Sequence, residues 1–131
     1  MQKSGKLPAV AAIISVCFAS NVGAQDRSET KNPLEGKPEA IAAGKQLYSN
    51  TCLFCHGPNG LGARAPNLVE GYFRPEGGAD DAIVYDIILK GRSGTLMGGF
   101  EGAFTEEEIW QVISYLRDEG LSRAKPKPNA K

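Results

Sequence analysis

Residues 52–56 read Cys-Leu-Phe-Cys-His, and a glycine follows them directly. Two thiols separated by two residues, with an imidazole beside the second, can hold one flat cofactor at three points. Cys52 and Cys55 can add across the two vinyl groups of a haem as thioethers, which places His56 beneath the iron. This spacing is typical of a c-type haem attachment site. We therefore predict one covalently bound haem c per chain, around which the rest of the sequence folds.

The motif has three other interpretations. A thioredoxin-like pair would lie within a βαβ pattern, and the sequence shows none. A zinc site would contain Cys52, Cys55 and His56 but no evident fourth soft ligand. Two buried, unmodified cysteines are the remaining structural alternative. The haem hypothesis is preferred because the rest of the chain offers what a haem requires.

The supply of axial ligands restricts the chemistry of such a haem. His56 is the only histidine of the chain, so one subunit cannot provide two histidine ligands. Met1 lies in a predicted export signal, which leaves Met97 as the sixth ligand. The alternative for Met97 is an ordinary core residue, which methionine often is. Ligation by a thioether raises the reduction potential, and a filled sixth position keeps oxygen and peroxide off the iron. We therefore predict electron transfer rather than an enzyme.

The N-terminus predicts export. Lys3 and Lys6 precede an apolar run over residues 7–19, and small residues end at Ala24. This pattern is typical of a secretory signal peptide over residues 1–24, which implies a periplasmic location. The run is shorter than the roughly 20 residues that cross a bilayer, so we expect no stable membrane span after cleavage. The alternatives are an uncleaved anchor and lipid attachment at Cys17.

Composition favours a single small domain. The chain has 131 residues, of which 41% are hydrophobic, and its 15 basic residues balance 15 acidic ones. A domain of this size has a marginal core on its own, and a covalent haem would enlarge it. Basic blocks are absent from the sequence, which argues against nucleic-acid binding. We expect a monomer that meets redox proteins through a local patch.

The segment before the motif predicts a leader and then a helix. Residues 25–37 are polar and contain Pro33 and Gly36, so we expect a flexible leader. Pro38 suits the first position of a helix, where a backbone N–H is not needed. Gly44 lies on the apolar face of that helix and predicts the close approach of another helix. The face is formed by Ile41, Gly44, Leu47 and Tyr48.

Two further helices are predicted after the motif. Asp80 or Asp81 offers an N-cap to the first of them, which ends at residues 90–91. Thr105 and Glu108 form a capping box for the last helix, which we expect to end at Gly120. Their apolar stripes comprise Ile83, Val84, Ile87 and Ile88 in one and Ile109, Val112, Ile113 and Leu116 in the other.

The remaining segments predict irregular structure. Residues 57–78 and 92–104 are rich in glycine and proline, and loops of this length in a small domain are uncommon unless they wrap around something. Residues 121–131 are polar and predict a disordered tail. The overall prediction is an all-α domain over residues 38–120.

Taken together, the first helix, the motif at 52–57, Ala-Pro-Asn-Leu at 65–68, the middle helix, Met97 and the last helix resemble the class I cytochromes c over roughly residues 39–119. The resemblance implies a small fold of three main helices with long loops wrapped around one haem. It also implies that the first and last helices cross, through Gly44 and Tyr48 on one side and Tyr115 and Leu116 on the other.

The resemblance implies further site residues. The carbonyl of Pro66 would accept a hydrogen bond from the ligand histidine, and Arg74 would contact a haem propionate. In this family a proline often follows the ligand methionine, whereas residues 98–99 here are both glycine. We expect this difference to leave the loop freer and to weaken the bond between Met97 and iron.

For the redox partners, the sequence predicts only a class of donor and a class of acceptor. Residues 71–75 and 87–91, with Met97, are similar to cytochromes that accept electrons from periplasmic quinoprotein alcohol dehydrogenases. The main hypothesis is therefore an exported one-electron carrier between a dehydrogenase and a terminal oxidase or another cytochrome. The alternatives are a haem sensor in which the Met97 bond opens, and the haem subunit of a dehydrogenase complex.

Overall fold

A computed structural model of the chain describes residues 31–73 and 79–125. Its helices are α1 (Pro38–Thr51), α2 (Leu53–His56), α3 (Asp81–Lys90) and α4 (Glu106–Ala124), with 3₁₀ turns at Pro58–Gly60 and Gly71–Phe73. Those two ranges contain no β-strand, so the predicted all-α fold is confirmed, with α1, α3 and α4 as the three main helices. The predicted signal peptide, Arg74 and residues 126–131 lie outside the described residues.

Local sequence signals set the helix starts. Pro38 opens α1 as predicted. Asp80 caps α3, because its carboxylate accepts a hydrogen bond from the backbone N–H of Ile83 at 2.9 Å. At α4 the capping box is complete: Thr105 Oγ1 accepts from Glu108 N at 3.2 Å, and Glu108 Oε2 accepts from Thr105 N at 2.8 Å. Each cap satisfies backbone donors that have no partner inside the helix.

Helices α1 and α4 cross at Gly44. A Cβ atom on Gly44 would lie only 1.8 Å from the carbonyl oxygen of Gln111, so the backbones touch there. One turn further along α1, the ring of Tyr48 packs against Tyr115 with the ring centroids 5.3 Å apart. The predicted crossing of the first and last helices is therefore present. Hydrophobic side chains of α3 and α4 complete the core, among them Tyr85, Ile88, Ile109, Val112 and Ile113.

Two predicted details of the helices are wrong. Ile83, placed in the apolar stripe of α3, is 43% exposed, and Tyr85 is buried instead. Helix α4 does not end at Gly120 but continues to Ala124, so the predicted tail begins four residues too early. Gly120 is buried within α4, and packing of that kind can offset the roughly 1 kcal/mol by which glycine weakens a helix relative to alanine.

The leader is not flexible throughout. Asn32 is buried, and its side-chain amide donates to the carbonyl of Trp110 at 3.1 Å and to Ser114 Oγ at 2.9 Å. Ser114 Oγ also donates to the carbonyl of Leu34 at 3.2 Å. Residues 32–34 are therefore fixed to α4, because a polar sequence can be ordered once its hydrogen-bonding groups find buried partners.

None of the helices within residues 31–73 and 79–125 has the length and apolar character needed to span a membrane.

Candidate haem site

The motif is itself folded as a short helix that continues from α1. The backbone N–H of Cys52 donates to the carbonyl of Tyr48 at 2.8 Å, and that of His56 donates to the carbonyl of Cys52 at 2.9 Å. Both cysteines are free thiols; Cys52 is half-buried and Cys55 is exposed. The turn thus presents two unpaired thiols and one imidazole from a single rigid element.

His56 is oriented by a specific contact. The residue is only 8% exposed, and its Nδ1 lies 3.0 Å from the carbonyl oxygen of Pro66. A carbonyl can only accept a hydrogen bond, so Nδ1 carries the proton and the lone pair is on Nε2. The predicted contact between Pro66 and the histidine is present, and it leaves Nε2 available to bind a metal.

A tight loop supports the turn from the other side. The carbonyl of Cys55 accepts hydrogen bonds from the backbone N–H groups of Arg64 at 3.0 Å and Ala65 at 2.9 Å. Gly57 has φ +71°, and a Cβ atom there would lie 2.4 Å from the carbonyl oxygen of Gly62. Glycine is therefore required after His56, for both its backbone angle and the close approach of the loop.

The environment of the thiols argues against redox catalysis by the cysteines. Burial raises the pKa of the Cys52 thiol to about 11, and the neighbouring Cys55 adds to the shift. Catalytic cysteines have lowered pKa values, because the thiolate is the reactive form. The half-buried Cys52 thiol is therefore not activated as a nucleophile. The residues the structure describes contain no group of three or more His, Cys, Asp or Glu side chains arranged to hold a metal ion.

Met97 lies half-buried in the loop between α3 and α4. Its main chain is held on both sides: its carbonyl accepts from Arg92 N at 2.9 Å, and its N–H donates to Thr95 Oγ1 at 3.1 Å. The prediction that the following glycines free this loop is wrong for Gly99. A Cβ atom on Gly99 would lie 2.7 Å from the carbonyl oxygen of Leu89, so this glycine serves close packing.

These residues fit a covalently bound haem. Cys52 and Cys55 could supply free thiols for the thioethers, and His56 could supply an imidazole whose Nε2 is not engaged by the Pro66 carbonyl. Met97 supplies a soft sulfur from a loop anchored to α3, a donor that suits haem iron. The predicted propionate contact of Arg74 stays a prediction, because that residue lies outside the described ranges.

Several supporting residues were not predicted from the sequence. The guanidinium of Arg64 lies 4.3 Å from the ring centroid of Phe54, within the motif. Arg117 is buried in α4 and donates to Asp81 Oδ1 at 2.7 Å and to the carbonyls of Phe73 and Ala79. A charged residue beside the apolar stripe of α4 was the available signal for Arg117. The sequence carries no comparable signal for the roles of Arg64 and Thr95.

The helical fold and the Cys-x-x-Cys-His turn define a c-type cytochrome, and comparison with known proteins agrees. The family described as cytochrome c oxidase, cbb3-type, subunit III matches residues 39–116. The chain therefore belongs to this family of class I c-type cytochromes, and it binds covalently attached haem c.

Individual relatives cover different shares of their own length. Cytochrome c-551 of Bacillus subtilis is 33% identical over 93 residues, which span 66% of this chain and 79% of that protein. The cbb3-type cytochrome c oxidase subunit CcoP of Rubrivivax gelatinosus is 31% identical over 90 residues, 68% of this chain and 29% of that subunit. Quinohemoprotein alcohol dehydrogenase ADH IIB of Pseudomonas putida is 33% identical over 86 residues, 64% of this chain and 12% of the dehydrogenase. The chain thus corresponds to one part of the two larger proteins.

Solved structures support the same fold. Cytochrome cL from the methylotroph Methylophaga aminisulfidivorans has a TM-score of 0.61 and 25% sequence identity, over 77% of this chain and 79% of that one. Cytochrome cL from Hyphomicrobium denitrificans has a TM-score of 0.52 at 23% identity, over 59% of this chain and 45% of that one, a likeness of fold alone.

Proposed function

We propose that this protein is an exported, single-haem electron carrier, in which His56 and Met97 would bind the iron. When bound, the haem supplies a one-electron couple between ferric and ferrous iron. The observation that carries the proposal is the 3.0 Å contact between His56 Nδ1 and the Pro66 carbonyl. This contact fixes the tautomer that presents Nε2 as a ligand, and it makes the imidazole a stronger donor.

The protein residues have separate tasks in this function. Cys52 and Cys55 hold the cofactor covalently, so that it cannot be lost during repeated encounters with partners. Met97 would bind the iron with a soft sulfur, which would favour the ferrous state and keep small oxidants off the metal. The mature chain then needs no acid-base residue, because an electron moves without bond making at the protein.

The ligand assignment is tested by mass and optical spectroscopy of the mature protein. We expect the mass of one haem in the wild-type chain and its loss when Cys52→Ala and Cys55→Ala are combined. The ferric protein should show the weak sulfur-to-iron band, and Met97→Ala should abolish it. Leu96→Ala is the matched control, because that neighbouring side chain is fully exposed. A band that survives in Met97→Ala would refute the ligand assignment.

The proposed route of the electron runs from a periplasmic dehydrogenase to a terminal oxidase or another cytochrome. Partial identity with ADH IIB supports a dehydrogenase donor, and identity with CcoP supports passage toward an oxidase. Stopped-flow mixing of the ferric protein with a quinoprotein alcohol dehydrogenase and its alcohol tests the first step. If the ferric protein were reduced no faster than by a non-quinoprotein dehydrogenase, quinoprotein alcohol dehydrogenases would be excluded as the electron donor.

Export is proposed from the first 24 residues and is tested by the N-terminal sequence of the protein recovered from a periplasmic fraction. We expect a chain that begins after Ala24 and behaves as a monomer on a sizing column. Recovery of the uncleaved chain from the membrane fraction would contradict the proposal.

A second candidate function is the haem subunit of a dehydrogenase complex. It is favoured by the relation to ADH IIB, in which the similar region is 12% of a larger enzyme. Mild purification of the native protein decides between the two: co-elution of a large subunit with dehydrogenase activity supports a subunit, and elution alone supports a free carrier.

A further inference from the structure

The loop that carries Met97 is closed at its base by the last turn of α3. The carbonyls of a final helical turn have no partner inside the helix. Here the carbonyl of Ile88 accepts from Phe100 N and that of Leu89 accepts from Glu101 N, each at 3.0 Å. The segment between α3 and residue 101 therefore leaves and returns to the same helix end.

Two glycines form the neck of this loop. A Cβ atom on Gly91 would lie 2.6 Å from both Gly99 N and the Met97 carbonyl oxygen, and Gly91 has φ +76°. A Cβ atom on Gly99 would lie 2.7 Å from the Leu89 carbonyl oxygen and from the Lys90 carbonyl carbon. The two chain segments that form the neck therefore lie backbone against backbone, too close to leave room for a side chain at either glycine.

Inside the loop, one hydroxyl ties the Met97 main chain back to the neck. Thr95 Oγ1 donates to the Arg92 carbonyl at 2.8 Å and accepts from Met97 N at 3.1 Å. The Met97 carbonyl accepts from Arg92 N at 2.9 Å. Both polar groups of the Met97 backbone are therefore occupied, which limits where its side chain can reach.

We propose that Gly91, Gly99 and Thr95 form a positioning clasp that holds Met97 on the iron and opposes its exchange for external ligands. The proposal rests on the assignment of Met97 as the axial ligand. It explains why a glycine lies two residues after the methionine, because Gly99 permits the close approach of the loop to the end of α3. Gly98 differs, because a Cβ atom there would meet nothing within 4 Å.

The contrast between the two adjacent glycines provides the experiment. Neither has a positive φ, so alanine is conformationally acceptable at both, and only Gly99→Ala collides with backbone. In the holoprotein we expect Gly99→Ala to weaken the ferric sulfur-to-iron band, lower the reduction potential and speed carbon monoxide binding to ferrous iron by at least about tenfold. Gly98→Ala should match the wild type. Equal behaviour of the two variants would overturn the proposal.

A milder pair of variants decides the matter if Gly99→Ala yields no holoprotein. Thr95→Val removes the hydroxyl that accepts from Met97 N, and we expect carbon monoxide binding about two- to tenfold faster, the effect of one lost hydrogen bond. Thr95→Ser keeps the hydroxyl and should restore the wild-type rate. A Thr95→Val protein indistinguishable from wild type would refute the clasp.

Failure of the clasp and failure of the ligand assignment look different. If the band is absent from the wild type, or persists in Met97→Ala, the proposed function is wrong. If wild type and Met97→Ala behave as expected, but either Gly99→Ala behaves like Gly98→Ala or Thr95→Val retains the wild-type rate, only the clasp is wrong.

Discussion

The hydroxyl of Tyr48 donates a 2.6 Å hydrogen bond to the carbonyl of Gly57, and the tyrosine is only 1% exposed. This bond joins α1 to the residue that directly follows His56. The same tyrosine ring packs on Tyr115 of α4. One side chain therefore couples the crossing of the two long helices to the turn that presents the histidine, so the helix packing also fixes the site.

Removing this hydroxyl should destabilise the protein without abolishing haem attachment. In Tyr48→Phe the buried Gly57 carbonyl loses its partner, which costs about 1–3 kcal/mol. Tyr115→Phe is the matched control, because its hydroxyl makes a longer contact, 3.3 Å to Asn59 Oδ1. Denaturant unfolding of both holoproteins measures the effect. Equal losses in the two variants would contradict the special role of Tyr48.

Alkaline pH should destabilise the fold through the same residues. Burial raises the pKa of Tyr48 and of Tyr115 above the ordinary value of tyrosine. The folded state therefore disfavours the tyrosinate, so the stabilising effect is complete below pH about 10 and is lost as pH rises above it. Each group can contribute a slope of up to about 1.4 kcal/mol per pH unit.

Unfolding curves recorded at pH values below and above this threshold test the linkage. The free energy of unfolding of Tyr48→Phe should fall less steeply with pH than that of the wild type. The exposed Tyr72 is the control position, and Tyr72→Phe should follow the wild-type curve. If the free energy of unfolding fell equally steeply with pH in the wild type and in Tyr48→Phe, ionisation of Tyr48 would not cause the loss of stability at alkaline pH.

A glycine-to-alanine substitution at the crossing of α1 and α4 should destabilise the protein rather than stabilise it. In a solvated helix, Gly→Ala stabilises by about 1 kcal/mol. Gly44→Ala would instead place a methyl group against the Gln111 carbonyl and force α1 and α4 apart, at a cost of about 1–3 kcal/mol or more. Thermal unfolding measures this, with Gln46→Ala on the exposed face of α1 as the control. A more stable Gly44→Ala protein would contradict the observed contact.

The largely buried ion pair between Arg117 of α4 and Asp81 of α3 should contribute far more to stability than the surface pair within α4. Arg117→Met leaves Asp81 and two backbone carbonyls without their donor, and breaking a buried pair in this way costs about 3–5 kcal/mol. Arg123→Ala, which removes a 3.6 Å pair with Glu119, should cost less than about 1 kcal/mol. Similar midpoints in denaturant for the two variants would count against this assignment.

Local signals in the sequence were sufficient for much of the fold. Pro38, Asp80 and the Thr105 capping box act within one helical turn, so their roles follow from adjacent residues alone. The haem motif is equally local, since its three groups lie within residues 52–56. These features were predicted because each depends on residues that remain neighbours in any fold of the chain.

Contacts between distant segments could not be predicted in the same way. Asn32 is fixed by Ser114, and Arg117 by Asp81, across separations that no local pattern records. Gly98 and Gly99 are identical in sequence terms, yet only the second lies against the end of α3. The space around a residue belongs to the packed structure, so its role appears only there.

The sequence by itself determined the cofactor, the histidine available to it and the positions of the main helices, because these follow from residue identity and short-range periodicity. Only the tertiary structure decided how Asn32 is fixed to α4, how the hydroxyl of Tyr48 joins the helix crossing to the turn at residues 52–57, and how the Met97 loop is closed. Those relationships depend on backbone segments meeting at hydrogen-bond distance, which the long-range packing of α1, α3 and α4 brings about.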